Sequence, residues 1–491
     1  MISDKKKLKK NMTLNAIKSV MSIVFPLITF PYVAKVLGVD NIGKYDFSNS
    51  IVTYFMLLSA LGIDKYAIRE GSGLKDDNDA FTLFSNEIFT LNLMTTLVSL
   101  IMFFVLSFSN AKLLEYRQIL VVLSFQIALK VFGVEWLYSI HEDYKYLTIG
   151  SIVFQTISLG LLFIFVKTPE SLIMYCILHV ISSSGICILS WIKSRKYIRL
   201  RIVKLSNWKN HIKPILILFA MDATITIYVT SDKTILGIIC GDYTVGLYAV
   251  ATKVYTIVKS VLAAVLIVSI PQLSYLSSKD ESEDFNKVAS SILKMLITFL
   301  FPAITGMILL RKEIVVLISS IQFIEATKSY ILLCLALVFC MLAWFWGQCI
   351  LIPIKEEMTV FKATLISAVT NIVLNLILIP YYAEIAAAFT TAISQLMAFV
   401  ICWQGGKKRV NISGVWLEII KSFIGCIGII GCSIVLLPFN SYLILYTITM
   451  IIMSVTVYLS IEVLIKNEAI LDLVEDVISK YRLLRSNIKR D

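Results

Sequence analysis

With 491 residues, of which 58% are hydrophobic and 16% charged, and a mean hydropathy of +0.83, the chain has a composition that excludes a water-soluble globule. A net charge of +12 raises nucleic acid as a partner, but the basic residues are dispersed between apolar runs, and that class is excluded too. The solvent for most side chains is lipid or a neighbouring helix.

From Leu14 to Ile465 apolar runs of roughly 17 to 26 residues alternate with short polar breaks, the length a helix needs to cross a bilayer. The predicted spans begin at Leu14, Phe47, Ile88, Gln118, Leu147, Leu172, Pro214, Val245, Val288, Tyr330, Val360, Ile385, Ile419 and Tyr442. The expected fold is all-α, a polytopic membrane protein with about 14 transmembrane helices. The head Lys5 to Lys10 has the charge of a signal-peptide start. Yet the run behind it is too long, contains Pro26 and Pro31 and leads to further spans, so an uncleaved first span is expected.

With the amino terminus inside, the segments on that side hold about 30 Lys and Arg against about 8 on the other, the positive-inside asymmetry. Both termini are therefore expected in the cytoplasm. Losing one span would invert everything downstream, whereas twelve spans remain compatible if two weak ones are re-entrant. Most cysteines fall within apolar runs, and no Cys-x-x-Cys or glycine-rich phosphate loop occurs. No catalytic residue, metal or cofactor is expected on that pattern.

Sliding the chain on itself by about 203 residues places Gly38, Gly43 and Tyr45 on Gly241, Gly246 and Tyr248. Each triplet links the first two spans of a six-span block. Six spans return the chain to its starting side, so the blocks are expected as two six-helix lobes with pseudo-twofold symmetry, plus two extra carboxy-terminal helices. The expected organisation is a lobe over 1–192, a basic cytoplasmic linker over 193–213, a second lobe over 214–403, two further spans over 404–465 and a cytoplasmic tail over 466–491. Linker and tail both mix cations with apolar residues. Each reads either as a surface-lying amphipathic segment or as a plain topology signal.

Charges within spans are costly and mark transport paths. Lys130 and Glu135 fall in the fourth span, Asp222, Asp232 and Lys233 in the seventh, Lys253 and Lys259 in the eighth, and Lys294 in the ninth. Lys18, Lys35, Lys233 and Lys294 lie near an interface and can snorkel; Lys130, Lys253 and Lys259 lie deeper, where a water-filled cavity is the better fit. An excess of lysine points to an anionic substrate, for which a diphosphate is the natural candidate. Asp222, Asp232 and Glu135 are the candidates for a coupling ion. Asn371 and Asn375 share a helical face, as interhelical hydrogen bonding or a sugar path would each require.

The run Pro31-Tyr32-Val33-Ala34-Lys35-Val36-Leu37-Gly38, with Gly43-Lys44-Tyr45, Leu61-Gly62-Ile63 and Tyr66-Ala67-Ile68-Arg69-Glu70, resembles the opening of bacterial polysaccharide repeat-unit flippases of the O-antigen and capsule type. Ser231-Asp232-Lys233 with Gly241, Gly246 and Tyr248 resembles the start of their second half. The resemblance implies the multidrug/oligosaccharidyl-lipid/polysaccharide exporter superfamily, with a rocking cycle in the cytoplasmic (inner) membrane and an undecaprenyl-diphosphate-linked oligosaccharide as cargo. It implies a cationic cavity, with the diphosphate role falling on Lys253 and Lys259, then on Lys18 and Lys130, and headgroup entry guided by Arg69. Membrane lipid and a polysaccharide polymerase with its chain-length machinery are the implied partners. A multidrug/cation antiporter, a lipid-linked peptidoglycan precursor flippase and a membrane glycan polymerase or ligase are the alternatives.

Overall fold

The computed structural model describes residues 2–205, 208–279, 281–437, 443–471 and 475, without the side chains of 2–16, 18, 19, 22 and 265. Every regular element among the described residues is helical. In chain order these are α1 (Ile2–Ala60), α2 (Ile63–Leu74), α3 (Asn78–Ser109), α4 (Ala111–Leu114), α5 (Arg117–Gly133), α6 (Glu135–Ile140), α7 (Tyr144–Phe165) and α8 (Leu172–Ser194). There follow α9 (Trp208–Ile239), α10 (Asp242–Ser278), α11 (Ser282–Leu309), α12 (Arg311–Ile318), α13 (Thr327–Trp344), α14 (Glu357–Gly406), α15 (Val415–Leu436) and α16 (Leu443–Leu464).

Among the described residues, 12 helical stretches are long and apolar enough to cross a membrane. Two of them, Ile23–Leu74 and Glu357–Gly406, run for 52 and 50 residues. At 1.5 Å per residue each is about 75 Å long, more than twice a hydrocarbon core of about 30 Å. Both are broken inside. The backbone leaves helical geometry at Gly38 (φ 77°) in α1 and at Ala383 (φ 49°) in α14. Each therefore supplies two passes, which reconciles the twelve stretches with the expected fourteen spans. The kinks sit at these two residues and not at Pro26, Pro31 or Pro380, which lie within continuous helix.

The chain divides into two compact units, one of residues 1–249, 318–322 and 375–384, the other of the remainder. In the first, α1 packs against α3, α5, α7 and α9, and a cluster around the fully buried Trp136 and Tyr138 gathers Ile63, Tyr66, Phe81 and Phe84. In the second, α11 packs against α13 and α15, and α15 against α16. Large apolar side chains such as Val268, Tyr381 and Leu464 stay 79–80% exposed. In lipid that exposure costs nothing, because acyl chains are as apolar as the side chains.

Each unit repeats one device. In the first, the amide N–H groups of Arg201 and Val203 donate to Asn86 Oδ1 (2.8 Å) and Thr90 Oγ1 (3.0 Å) on α3. In the second, those of Asn411 and Ser413 donate to Asn286 Oδ1 and Ser290 Oγ on α11, both at 3.1 Å. A helix face with polar residues at i and i+4 thus holds two alternate amides of an extended segment. The linker is therefore not an amphipathic helix over 198–205. Tyr197, Ile198, Leu200 and Leu205 pack on the protein, while Ile202 stays exposed. The tail from 472 lies outside the described residues, apart from 475.

The glycine motif is a close crossing within the first unit. Gly38 and Gly241 adopt positive φ (77° and 89°), which glycine alone takes without a Cβ penalty. Five residues on, a Cβ at Gly43 would lie 1.8 Å from the Asp242 carbonyl oxygen, and a Cβ at Gly246 would lie 2.2 Å from that of Val39. Each glycine thus receives the carbonyl of the residue that follows the other copy's turn. The reciprocity is what a local twofold relation between the copies produces.

Candidate functional site

The ends of several helices meet in a row of charges led by α2. Asp64 and Lys65 stand adjacent in its first turn and pair in opposite directions. Lys130 Nζ, at the end of α5, donates to Asp64 Oδ2 at 2.8 Å, and Lys65 pairs with Asp222 of α9. All four side chains keep partial exposure, 27–59%, so these pairs align helices more than they stabilise them, at about 1 kcal/mol or less each. Glu135 acts electrostatically on Lys130, but it does not share that lysine's helix. Val134 turns left-handed (φ 36°) and separates α5 from α6, although the membrane-spanning stretch Arg117–Ile140 includes both.

A second group is more deeply buried. Asp232, 6% exposed, accepts from the Tyr248 hydroxyl and from Asn375 Nδ2, both at 2.6 Å. Its neighbour Lys233 donates to Asp46 Oδ2 at 2.6 Å, which replaces the expected snorkelling with an ion pair. Thr234 continues the same stretch, at 2.9 Å from Ser50 Oγ. Three consecutive residues of α9 are thus engaged by polar groups of α1, α10 and α14. Lys294, another of the four lysines expected to snorkel, instead donates to Glu468 Oε2 at 2.6 Å. That ammonium holds the Glu468 carboxyl below the usual carboxylate range.

The lysines of α10 differ. Lys259 lies 5.9 Å from the Tyr255 ring centroid and forms no ion pair among the described residues; Lys253 is half-buried and engaged by neighbouring groups. Six residues of helix separate them by about 9 Å along the axis and about 120° around it. They therefore sit on different faces and can only flank an anion. Arg69 is exposed, with Nε on Glu70 Oε1 at 2.8 Å and its guanidinium 5.8 Å from the Tyr66 ring. The backbone at Lys18 lies in α1, and its side chain is outside the described set.

Several polar groups, buried or half-buried, carry no sequence expectation. Glu87, 2% exposed, lies 3.1 Å from His211 Nε2, whose Nδ1 is 2.7 Å from the Tyr66 hydroxyl. Asp46 and Asp64 supply the acids that balance Lys233 and Lys130. Glu418 and Glu462 are 1% and 0% exposed. Each of these acids borders an apolar run in the sequence, where hydropathy assigns it to the interface; burial depends on the neighbouring helix.

Residues 8–277 match the family described as polysaccharide biosynthesis protein. An Escherichia coli (strain K12) protein named as an O-antigen transporter is 26% identical over 283 residues, 56% of this chain and 66% of that protein. The capsular polysaccharide biosynthesis protein CapF of Staphylococcus aureus is 23% identical over 417 residues, 80% of this chain and 97% of its own length. The chain thus spans just under two thirds of the first relative and nearly all of the second. Among solved structures, the lipid II flippase MurJ in its inward closed conformation superposes with a TM-score of 0.78 at 17% identity, over 93% of this chain and 100% of that one. At that identity the likeness establishes the polytopic transporter fold. A match over more than half of the chain, on a multi-pass helical body, places this protein in the polysaccharide biosynthesis protein family.

Proposed function

We propose that this protein is a flippase that carries lipid-linked oligosaccharide repeat units across the cytoplasmic membrane. The family match over residues 8–277 carries this reading, and relatives named for O-antigen transport and capsule biosynthesis support it. The cargo is an undecaprenyl-diphosphate-linked oligosaccharide destined for O-antigen or capsule, and both termini lie in the cytoplasm. The two six-helix lobes over 1–192 and 214–403 are the repeats of an alternating-access cycle. Lys259 is the principal diphosphate contact, because it stands on a span without an ion pair among the described residues, and a lone ammonium in a membrane interior calls for an anion. Lys253 flanks it. Lys130 and Arg69 take lesser parts, since Asp64 and Glu70 already engage them, and Lys18 is retained at the inner end of α1. Asp232 is the foremost coupling-ion residue, ahead of Asp222 and Glu135, because its carboxylate is the most deeply buried of the three.

Deleting the gene in its host and analysing lipid-linked oligosaccharides with the surface glycan tests the reading. Loss of the glycan, with single repeat units retained on the inner leaflet, is the expected result. Single units displayed outside would point to a polymerase, and unchanged glycan would reject the flippase. Complementation with Lys259→Ala is expected to abolish transport at normal membrane expression; a normal glycan there would remove Lys259 from the diphosphate role.

A further inference from the structure

Helices α15 and α16 lie outside the two six-span blocks, yet they enclose a charge cluster for which the flippase reading has no use. Glu418 in the first turn of α15 is 1% exposed, and Glu462 near the end of α16 is 0% exposed. Lys421 Nζ donates to Glu418 Oε1 at 2.7 Å and to the Lys466 carbonyl at 2.8 Å. Asn467 Nδ2 donates to Glu462 Oε2 at 2.7 Å. Glu418 Oε2, Glu462 Oε1 and Ser422 Oγ are left buried with no hydrogen-bond partner of normal geometry.

These three oxygens face one seam. Glu418 and Ser422 are one turn apart on the same face of α15, and Gly425 extends that stripe. A Cβ at Gly425 would lie 2.7 Å from Glu462 Oε1, so the missing side chain is what admits the carboxylate. Glu418 also acts electrostatically on Glu462.

The charges around the seam do not balance. From α15 come Glu418, Lys421 and the Cys426 thiol; from α16 come Glu462 and Tyr458, whose hydroxyl donates to the Thr298 carbonyl at 2.7 Å and also touches Ser422 and Glu462, so that this helix brings one neutral phenol, and no second cation, to the two carboxylates. From α11 comes Lys294, already on Glu468 at 2.6 Å, and the Lys466 side chain is exposed. Two buried carboxylates therefore face one available ammonium. A buried carboxylate without a counter-charge is strongly unfavourable, and the unsatisfied oxygens show where a counter-charge fits.

We propose that the seam between α15 and α16 binds one monovalent cation, a proton or a sodium ion, between Glu418, Glu462 and Ser422. Occupancy of the seam neutralises the excess charge and joins the two terminal helices. Binding is independent of cargo, so this site stands or falls apart from the flippase reading.

Thermal unfolding of the purified full-length protein tests it, with sodium chloride titrated against choline chloride at fixed pH and pH varied in choline alone. The expected result is a saturating rise in Tm with sodium or on acidification, as for any ligand bound only by the native state. If both cations raise Tm, the sodium midpoint should move with pH, because they share one seat. Glu462→Gln and Glu418→Gln are each expected to lose the seam's share of that rise, leaving only what the coupling-ion residue Asp232 contributes, while Glu283→Gln, at an exposed carboxylate outside the seam, keeps all of it. An undiminished rise in both glutamine variants, a rise lost only in Asp232→Asn, or no response of the wild type to either cation would overturn the proposal. Should the glutamine variants not fold, Ser422→Ala removes one oxygen without changing charge. Its sodium or proton midpoint must then weaken several-fold, and an unchanged midpoint would count against the site.

Discussion

The two copies of the glycine motif have kept the same backbone and diverged in what they hold. Around Gly38 and Gly241 the turns share positive φ, and Gly43 and Gly246 receive each other's neighbouring carbonyls at comparable closeness. Tyr45 and Tyr248 then part ways. Tyr45 packs edge-on against Tyr175 and His179, with centroids at 4.8 and 5.3 Å, whereas Tyr248 donates to Asp232. About 203 residues before Asp232 and Asn375 stand Thr29 and Leu172, and among the described residues Thr29 bonds back to Phe25 of its own helix at 3.0 Å. The crossing is a packing solution that both copies need, while the buried acid is a property of one copy. An ionisable group in a membrane interior carries a cost that packing alone does not repay, and its presence in one copy only is what the proposed coupling role rests on.

The sharpest way to break this comparison is to fill the crossing. Gly43→Ala and Gly246→Ala each place a methyl against a backbone carbonyl that cannot rotate away, and each is expected to destabilise by about 3 kcal/mol. Yield of monodisperse protein and thermal unfolding measure it. Similar losses in both variants would support the reciprocal geometry, and a neutral Gly246→Ala would refute it.

Next in size is the tyrosine pair. Tyr248→Phe removes a hydrogen bond to a buried carboxylate and should cost about 2 kcal/mol, together with transport. Tyr45→Phe keeps the ring contacts and loses only a hydrogen bond between neutral hydroxyls, to Tyr175, and should cost about 1 kcal/mol. Equal effects on surface glycan and on unfolding would erase the functional asymmetry between the copies.

The smallest effect tests the other repeated device. Asn86→Ala and Asn286→Ala each release one backbone amide, at about 1 kcal/mol. Hydrogen exchange should report the amides of Arg201 and Asn411 respectively. Faster exchange at Arg201 alone would show that only the first unit relies on this bond.

Much of the architecture was legible in the chain. Run length and the cation asymmetry set the number of spans, and the two breaks at Gly38 and Ala383 explain why helices of about fifty residues carry two of them each. The Gly38 break could be anticipated from the repeat, since its partner Gly241 stands at a span boundary. The Ala383 break falls just before the span predicted to begin at Ile385, so run length located it although alanine itself carries no turn signal. Of the candidate site residues, Asp232 and Asn375 stand in the sequence as separate polar residues 143 positions apart, and only folding joins them.

What the sequence by itself determined is the solvent, the element type, the approximate span count and the internal repeat. These depend on residue content over stretches of a helix or longer, and no partner is needed to evaluate them. Tertiary structure alone decided which charges are neutralised. Lys130, Lys233 and Lys294 became ion pairs with acids from distant segments, while Glu418 and Glu462 were buried with one lysine between them. The state of a charge in a membrane is set by the few groups within about 4 Å of it, and those groups come from helices that only the fold brings together.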